Sequence, residues 1–344
     1  MMGREHMANL ALVPGAELVA IADPDAGSRQ SALTLAERLG QSITTYDDNA
    51  EMLTQAKPDA VIIASPNFTH FDVVKPVMDA GAAVLLEKPM CTQTDDARAL
   101  AQAAREYHNL FWVGLEYRYM PPVTHFIERV HAGEAGDIKM LAIREHRFPF
   151  LVKVGDWNRF NRNTGGTLVE KCCHFFDLMR HILQDEPVQL FASGAQDVNH
   201  LDETYDGETP DIIDNAFVMV DFAGGTRALL DLCMFAEGSQ EQEEISAVGP
   251  KGKIEVKLPG GFVTWSPRDK SGPFTSHIET PPDALAAGDH HGATYFQQRD
   301  FHDALVNGTR PLISARDGYR SVVMGAAAQQ SIATGQPVDI AFED

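Results

Sequence analysis

Two stretches of the 344-residue chain carry side chains that can move protons and stabilise charge. Glu87-Lys88-Pro89 follows the apolar run 83–86, and the ends of such strands are where open α/β sheets bind ligands. The second stretch reads Gly165-Gly166-Thr167-Leu168-Val169-Glu170-Lys171-Cys172-Cys173-His174-Phe175-Phe176-Asp177. A helix over 167–183 places Glu170, His174, Asp177 and His181 at i, i+4, i+7 and i+11, four titratable groups on one face. Its other side is too apolar for an exposed helix, and Cys172-Cys173 point to burial. A Glu–His pair on a buried helix is an active-site candidate. No third ligand stands at helical spacing and adjacent cysteines share an ion poorly, so no metal is expected.

The elements that must position these groups follow from periodicity. Short apolar runs at 17–22, 60–64, 83–86 and 111–114 read as strands buried on both faces. Helical patterns at 28–39, 48–54, 71–80 and 94–107 alternate with them, with Gly40 and Gly81 at helix ends. This predicts a Rossmann-type, doubly wound parallel sheet over 1–118. From Met140 strands follow one another at 140–146, 189–196, 216–222, 227–233, 244–248, 252–256 and 262–265. Residues 119–344 are therefore expected to form an α+β domain with a large, mostly antiparallel sheet. Helices 294–306 and 315–334 and a strand at 338–340 close it, and 267–288 reads as a surface loop.

The chain opens Met1-Met2-Gly3-Arg4. Gly3 can be the third glycine of a Gly-x-Gly-x-x-Gly turn, leading into a helix over 4–12. Asp23 then falls at the end of the next strand, where an acid holds a ribose hydroxyl. On this reading the first strand and two glycines are missing, and the chain is expected to be N-terminally truncated. The plain alternative is an ordinary glycine and an Asp23-Pro24 turn. A carboxylate at 23 repels a 2′-phosphate, which favours NAD over NADP, although Arg29 lies near in sequence.

Taken together these pieces resemble the Gfo/Idh/MocA family of NAD(P)-dependent oxidoreductases, across essentially the whole chain. The resemblance rests on Gly3 to Asp23, Ser65-Pro66-Asn67 with His70, Glu87-Lys88-Pro89, and Gly165-Gly166 leading to His174 and Asp177. It implies that Lys88 is the catalytic-site lysine and His174 the acid/base. It places Ser65, Pro66, Asn67 and His70 by the cofactor and Glu87 at the nicotinamide pocket. It also implies pairing of the second sheet's open face into a homodimer or homotetramer. The chain departs from the family in having Glu170 four residues before the histidine, where Asp is usual, and Lys171 beside it. The implied reaction oxidises a secondary alcohol of a cyclitol or sugar. His174, with an ordinary pKa of ~6.5, takes the hydroxyl proton. Lys88 steadies the alkoxide charge, and Glu170 orients His174 or accepts a neighbouring hydroxyl.

Substrate contacts are expected from Trp157, Asn158 and Arg159, with Lys171 and His291 lining the cleft. Arg159 and Arg162 could instead hold a carboxylate, pointing to a sugar acid. Asp289-His290-His291 superficially matches a phosphoesterase metal motif, but it lacks companion acids and reads as the approach to the next helix. Two other functions share these features: an NAD-using glycoside hydrolase, and a dinucleotide sensor, which needs neither Lys88 nor His174. A net charge of −21 argues against nucleic-acid and membrane-surface partners. The apolar runs are far short of a ~20-residue span. With four cysteines and no disulfide framework, a cytoplasmic setting is expected.

Overall fold

The computed structural model describes residues 2–343. Its first lobe runs α1 (Met2–Leu10), β1 (Ala20–Ala22), α2 (Ala26–Arg38), β2 (Thr44–Tyr46), α3 (Asn49–Ala56), β3 (Ala60–Ile63), α4 (His70–Asp79), β4 (Ala83–Glu87), α5 (Thr94–Glu106) and β5 (Phe111–Gly114). Strand pairing is parallel throughout, β1 with β2 and β4 with both β3 and β5. Parallel pairs need helical crossovers, which cover both sheet faces and leave no wet side. Every residue of β4 and β5 is accordingly buried. The Asp25 and Asp48 carboxylates cap α2 and α3 by accepting from the N–H groups of Ser28 and Glu51. Among the described residues the strands form two sheets, β1-β2 and β3-β4-β5, and none joins β1 to β3.

The second lobe holds α6 (Pro121–His131), β6 (Met140–His146), α7 (Asn161–Thr164), α8 (Thr167–Glu170), α9 (Cys173–Leu183), β7 (Pro187–Ala195), β8 (Asn215–Phe222), β9 (Arg227–Cys233), β10 (Glu243–Gly249), β11 (Gly252–Leu258), β12 (Phe262–Pro267), β13 (Phe274–His277), α10 (Pro282–Ala286), α11 (Ala293–Asn307), α12 (Ala315–Thr334) and β14 (Val338–Asp339). Among the described residues its sheet has nine strands in the order β13-β12-β11-β10-β6-β9-β8-β7-β14. Pairing is antiparallel except between β6 and β9. Period-two alternation puts Ala216, Val218, Val220 and Phe222 inside, against Phe126, Phe175 and Phe176 of the covering helices. Phe217 and Met219 point outward.

Two expectations are corrected. The stretch 267–288 is not all loop, since it contains β13 and α10. The helix expected over 167–183 is broken: α8 stops at Glu170, and α9 starts at Cys173 after a turn at Lys171 and Cys172. Lys171 sits at that break with its ammonium paired inward, 2.9 Å from Glu145. The lobes also share a core. Phe301, Tyr319 and Val322 from the last helices and Ile313 between them, with Val169 and Cys173, pack among the buried residues of β4 and β5.

Candidate active site

The carboxyl end of β4 delivers Glu87 and Lys88 to the seam between the lobes. Gly165 seats the opposing segment close against this loop. Its φ is +78°, and a Cβ there would stand 2.6 Å from the Thr92 carbonyl oxygen, so no other residue fits. Across the seam the Lys88 Nζ donates a 3.1 Å hydrogen bond to the main-chain carbonyl of Glu170. That carbonyl lies four residues before His174.

His174 is 2% exposed, and its Nδ1 is buried with no hydrogen-bond partner. Burial first, then the cations Lys88, Lys171, His290 and Arg147, hold its pKa well below the ordinary value. Burial and these cations disfavour the imidazolium, which leaves the uncharged ring as the form that can accept a proton. Burial raises the pKa of Glu170 against the pull of Lys88, Lys153, Arg159 and Asn67. Its Oε2 has no partner. The expectation that Glu170 orients His174 fails, because the helix break removes their one-turn stacking and each is left with an unpartnered atom. Glu170 faces Lys88 and Asn67 instead.

Glu87 and His70, expected at the cofactor, have their polar atoms committed to the protein. Glu87 accepts from His6 at 2.7 Å and from the Lys88 N–H at 3.1 Å. Gln298 in turn reaches His6 Nδ1 at 2.7 Å. His70 is fully buried, with Nδ1 2.9 Å from the Pro89 carbonyl and Nε2 3.0 Å from that of Ser65. Buried polar groups demand such partners, and here the partners are the loops that carry Lys88 and Asn67. Both residues brace the site.

The substrate candidates divide similarly. Trp157 is half-buried and meets Phe68 of the first lobe edge-on at 6.1 Å. Asn158 is fully buried and donates to the Leu151 carbonyl. Arg159 pairs with Glu203 and Arg162 with Glu208, so the chain's own carboxylates satisfy the proposed carboxylate clamp. Lys171 is bound inside by Glu145 and the Tyr117 hydroxyl, not presented to the cleft. His291 lies 3.7 Å from Glu243. Its neighbour His290 joins Glu5 at 2.7 Å rather than any metal-like cluster.

Two residues escaped the sequence reading. Tyr117 stacks on His174, ring centroids 4.0 Å apart and planes 10° from parallel. It follows β5, so the rule that pointed to Lys88 after β4 would have found it. Lys153 acts on both Glu170 and Lys88 from the loop before α7, with no sequence signal beyond its charge.

Asp23, Ser65-Pro66-Asn67 and Lys88 follow the carboxyl ends of β1, β3 and β4. Asp23 Oδ1 accepts from the Asp25 N–H, and the Arg29 guanidinium lies on the Asp23 and Pro24 carbonyls. Asn67 is buried with its amide towards the Glu170 carboxyl, and its Nδ2 makes no hydrogen bond of ordinary geometry. This set fits a dinucleotide, with an acid for ribose hydroxyls at one end and an amide nearer the seam. Gly3 does not act as a close-packing glycine here, since a Cβ on it would meet nothing within 4 Å.

Residues 1–115 match the model of an oxidoreductase family's NAD-binding Rossmann fold, and residues 127–340 match that family's C-terminal alpha/beta domain. The chain is 25% identical over 347 residues to the scyllo-inositol 2-dehydrogenase (NAD(+)) of Bacillus subtilis, covering 98% of this chain and 93% of that protein. It is 28% identical to the rhizopine catabolism protein MocA of Rhizobium meliloti over 67% of this chain and 68% of the relative. Levoglucosan dehydrogenase in complex with NADH shares the fold, with a TM-score of 0.85 at 20% identity over 99% of this chain and 96% of the other.

Proposed function

The chain belongs to the Gfo/Idh/MocA oxidoreductase family, and on that premise we propose that it oxidises a secondary hydroxyl of a neutral cyclitol or sugar with NAD. One observation carries this reading: Lys88 of the first lobe bonds the Glu170 carbonyl of the second, and after burial its charge acts most strongly on His174. The neutral His174 imidazole takes the hydroxyl proton, and the Lys88 ammonium hydrogen-bonds the same oxygen as alkoxide charge develops. The Glu170 carboxyl holds a neighbouring hydroxyl. Bound nicotinamide supplies the hydride acceptor. Glu87, His6 and His70 keep the Lys88 loop in place.

Neutral substrates are favoured over sugar acids because Arg159 and Arg162 are already paired with Glu203 and Glu208. Asp23 favours NAD over NADP, since a 2′-phosphate would meet a carboxylate there. The outer sheet face supports a homo-oligomer: Phe191, Phe217, Met219 and Leu229 are exposed side by side on β7, β8 and β9. Asp231, Arg144, Glu244 and Lys257 form a row of alternating charge beside them. Such a surface suits an isologous contact. The test is NADH formation from myo-inositol, scyllo-inositol, glucose and glucuronate. Turnover of a neutral compound with NAD is expected; turnover of glucuronate alone contradicts the reading.

A further inference from the structure

A general base is normally aligned by a hydrogen bond to its second ring nitrogen. His174 lacks one, because its buried Nδ1 has no partner. Its plane is set instead by Tyr117, whose ring lies parallel to the imidazole at 4.0 Å. The Tyr117 ring meets Phe175 edge-on at 5.7 Å, and its hydroxyl receives a 2.5 Å hydrogen bond from Lys171. The same ammonium pairs with Glu145 Oε1 at 2.9 Å, and Arg147 bonds that same oxygen, also at 2.9 Å. Lys171, Glu145 and Tyr117 are all buried, so the phenol is pinned at its edge, face and hydroxyl. An ion pair this deep gives little net stability, and its geometry fixes the ammonium on the Tyr117 hydroxyl.

We propose that Tyr117, anchored by the buried Lys171–Glu145 pair, is the residue that positions the His174 imidazole, with Lys171 one of the cations that bear on it. The idea rests on the reading of His174 as proton acceptor. It also accounts for Lys171, whose buried ammonium is turned to Tyr117 and Glu145. The groups acting on the His174 side of this assembly come from several elements. They are Lys88 after β4, Arg147 after β6, His290 before α11 and Lys171 itself. Glu145, Glu243 and Glu116 act on Tyr117 from beyond. Removing the Lys171 charge takes away one of four cations and leaves Glu145 less neutralised. Both changes favour a protonated His174.

The test combines NMR with kinetics. The imidazole resonances of His174, assigned by their loss in His174→Gln, are followed against pH without substrate. The wild-type ring proton is expected upfield through the ring current of Tyr117. Tyr117→Phe keeps that shift and Tyr117→Leu abolishes it. In Lys171→Met the titration moves upward by about one pH unit. With NAD and myo-inositol, Tyr117→Leu lowers kcat about 100-fold with little change in KM, as expected for a misplaced group. Tyr117→Phe, which loses only the anchoring hydrogen bond, stays within about fivefold. An unshifted wild-type resonance, or an unmoved titration in Lys171→Met, overturns the proposal. So does a Tyr117→Phe variant as inactive as Tyr117→Leu, since the hydroxyl would then be chemical. If Tyr117→Leu does not fold, the wild-type, Phe and Met spectra still decide. Should wild type ignore myo-inositol while the spectra behave as expected, the substrate reading fails and this positioning stands.

Discussion

His6 of α1 and Glu87 at the end of β4 form a buried 2.7 Å ion pair directly behind Lys88. Burial opposes charge on His6, but the hydrogen bond and charge of Glu87, helped by Glu116 and Glu5, raise its pKa. Burial likewise opposes charge on Glu87, and His6 with Lys88 outweighs it, so that pKa falls. The raised histidine contributes fully below its ordinary 6.5 and is lost as pH climbs through its folded value. The lowered carboxylate contributes fully above its ordinary 4.5 and is lost as pH falls through its folded value.

The pair is therefore worth most between those two ordinary values. His6→Asn leaves the buried Glu87 with only Lys88 to offset its charge, at a cost of about 3 kcal/mol. Denaturant titrations across pH should show this deficit largest between pH 4.5 and 6.5 and shrinking on both sides. A deficit independent of pH would mean that the two groups do not share charge.

His181 depends on pH in the sense opposite to His6. Burial, then Arg118 and His131, push its pKa down to about 3. The folded protein refuses a proton that the unfolded chain binds below 6.5, so stability falls as pH drops from there towards 3. His181→Gln should flatten that fall by at most about 1.4 kcal/mol per pH unit. Equal acid slopes for wild type and variant would show that His181 titrates normally.

Asp23 is predicted to govern cofactor choice. Asp23→Ser removes a charged acceptor for ribose hydroxyls and the repulsion of a 2′-phosphate. The ratio of kcat/KM for NAD over NADP should drop by about tenfold or more. An unchanged ratio would leave Asp23 merely a turn former, holding the Asp25 N–H.

The outer face of the nine-stranded sheet is predicted to be an interface between copies of the chain. Phe217 is 60% exposed there, beside Met219. Phe217→Lys should weaken self-association about 100-fold or more, which sedimentation equilibrium reads directly. A wild-type protein that sediments as a monomer would remove the basis for the prediction.

Much of the fold was legible because burial writes itself into sequence. The runs at 83–86 and 111–114 are apolar at every position, as strands covered on both faces must be, and they are β4 and β5. Strand β2 was missed because Thr44–Tyr46 is too short to show a period. The break at Lys171 and Cys172 was hidden because 3.6-residue spacing fits 167–183 throughout, whereas the long-range pull of Glu145 on Lys171 has no local signature. The same limit applies to the site. Lys88, Glu170 and His174 were singled out from strand ends and helix spacing, and the structure brings Lys88 against the Glu170 carbonyl. The commitment of Asn158, Arg159 and His70 to internal partners depends on residues far away or on backbone carbonyls, which composition does not reveal.

The account turns on Lys88 and His174 serving one oxygen. The most direct measurement is kcat for Lys88→Met and His174→Asn on whichever neutral polyol the wild type oxidises, with NADH binding followed by fluorescence. Each variant should lose about a thousandfold in kcat while binding NADH within threefold or so of wild type. Either variant turning over at the wild-type rate would contradict the account.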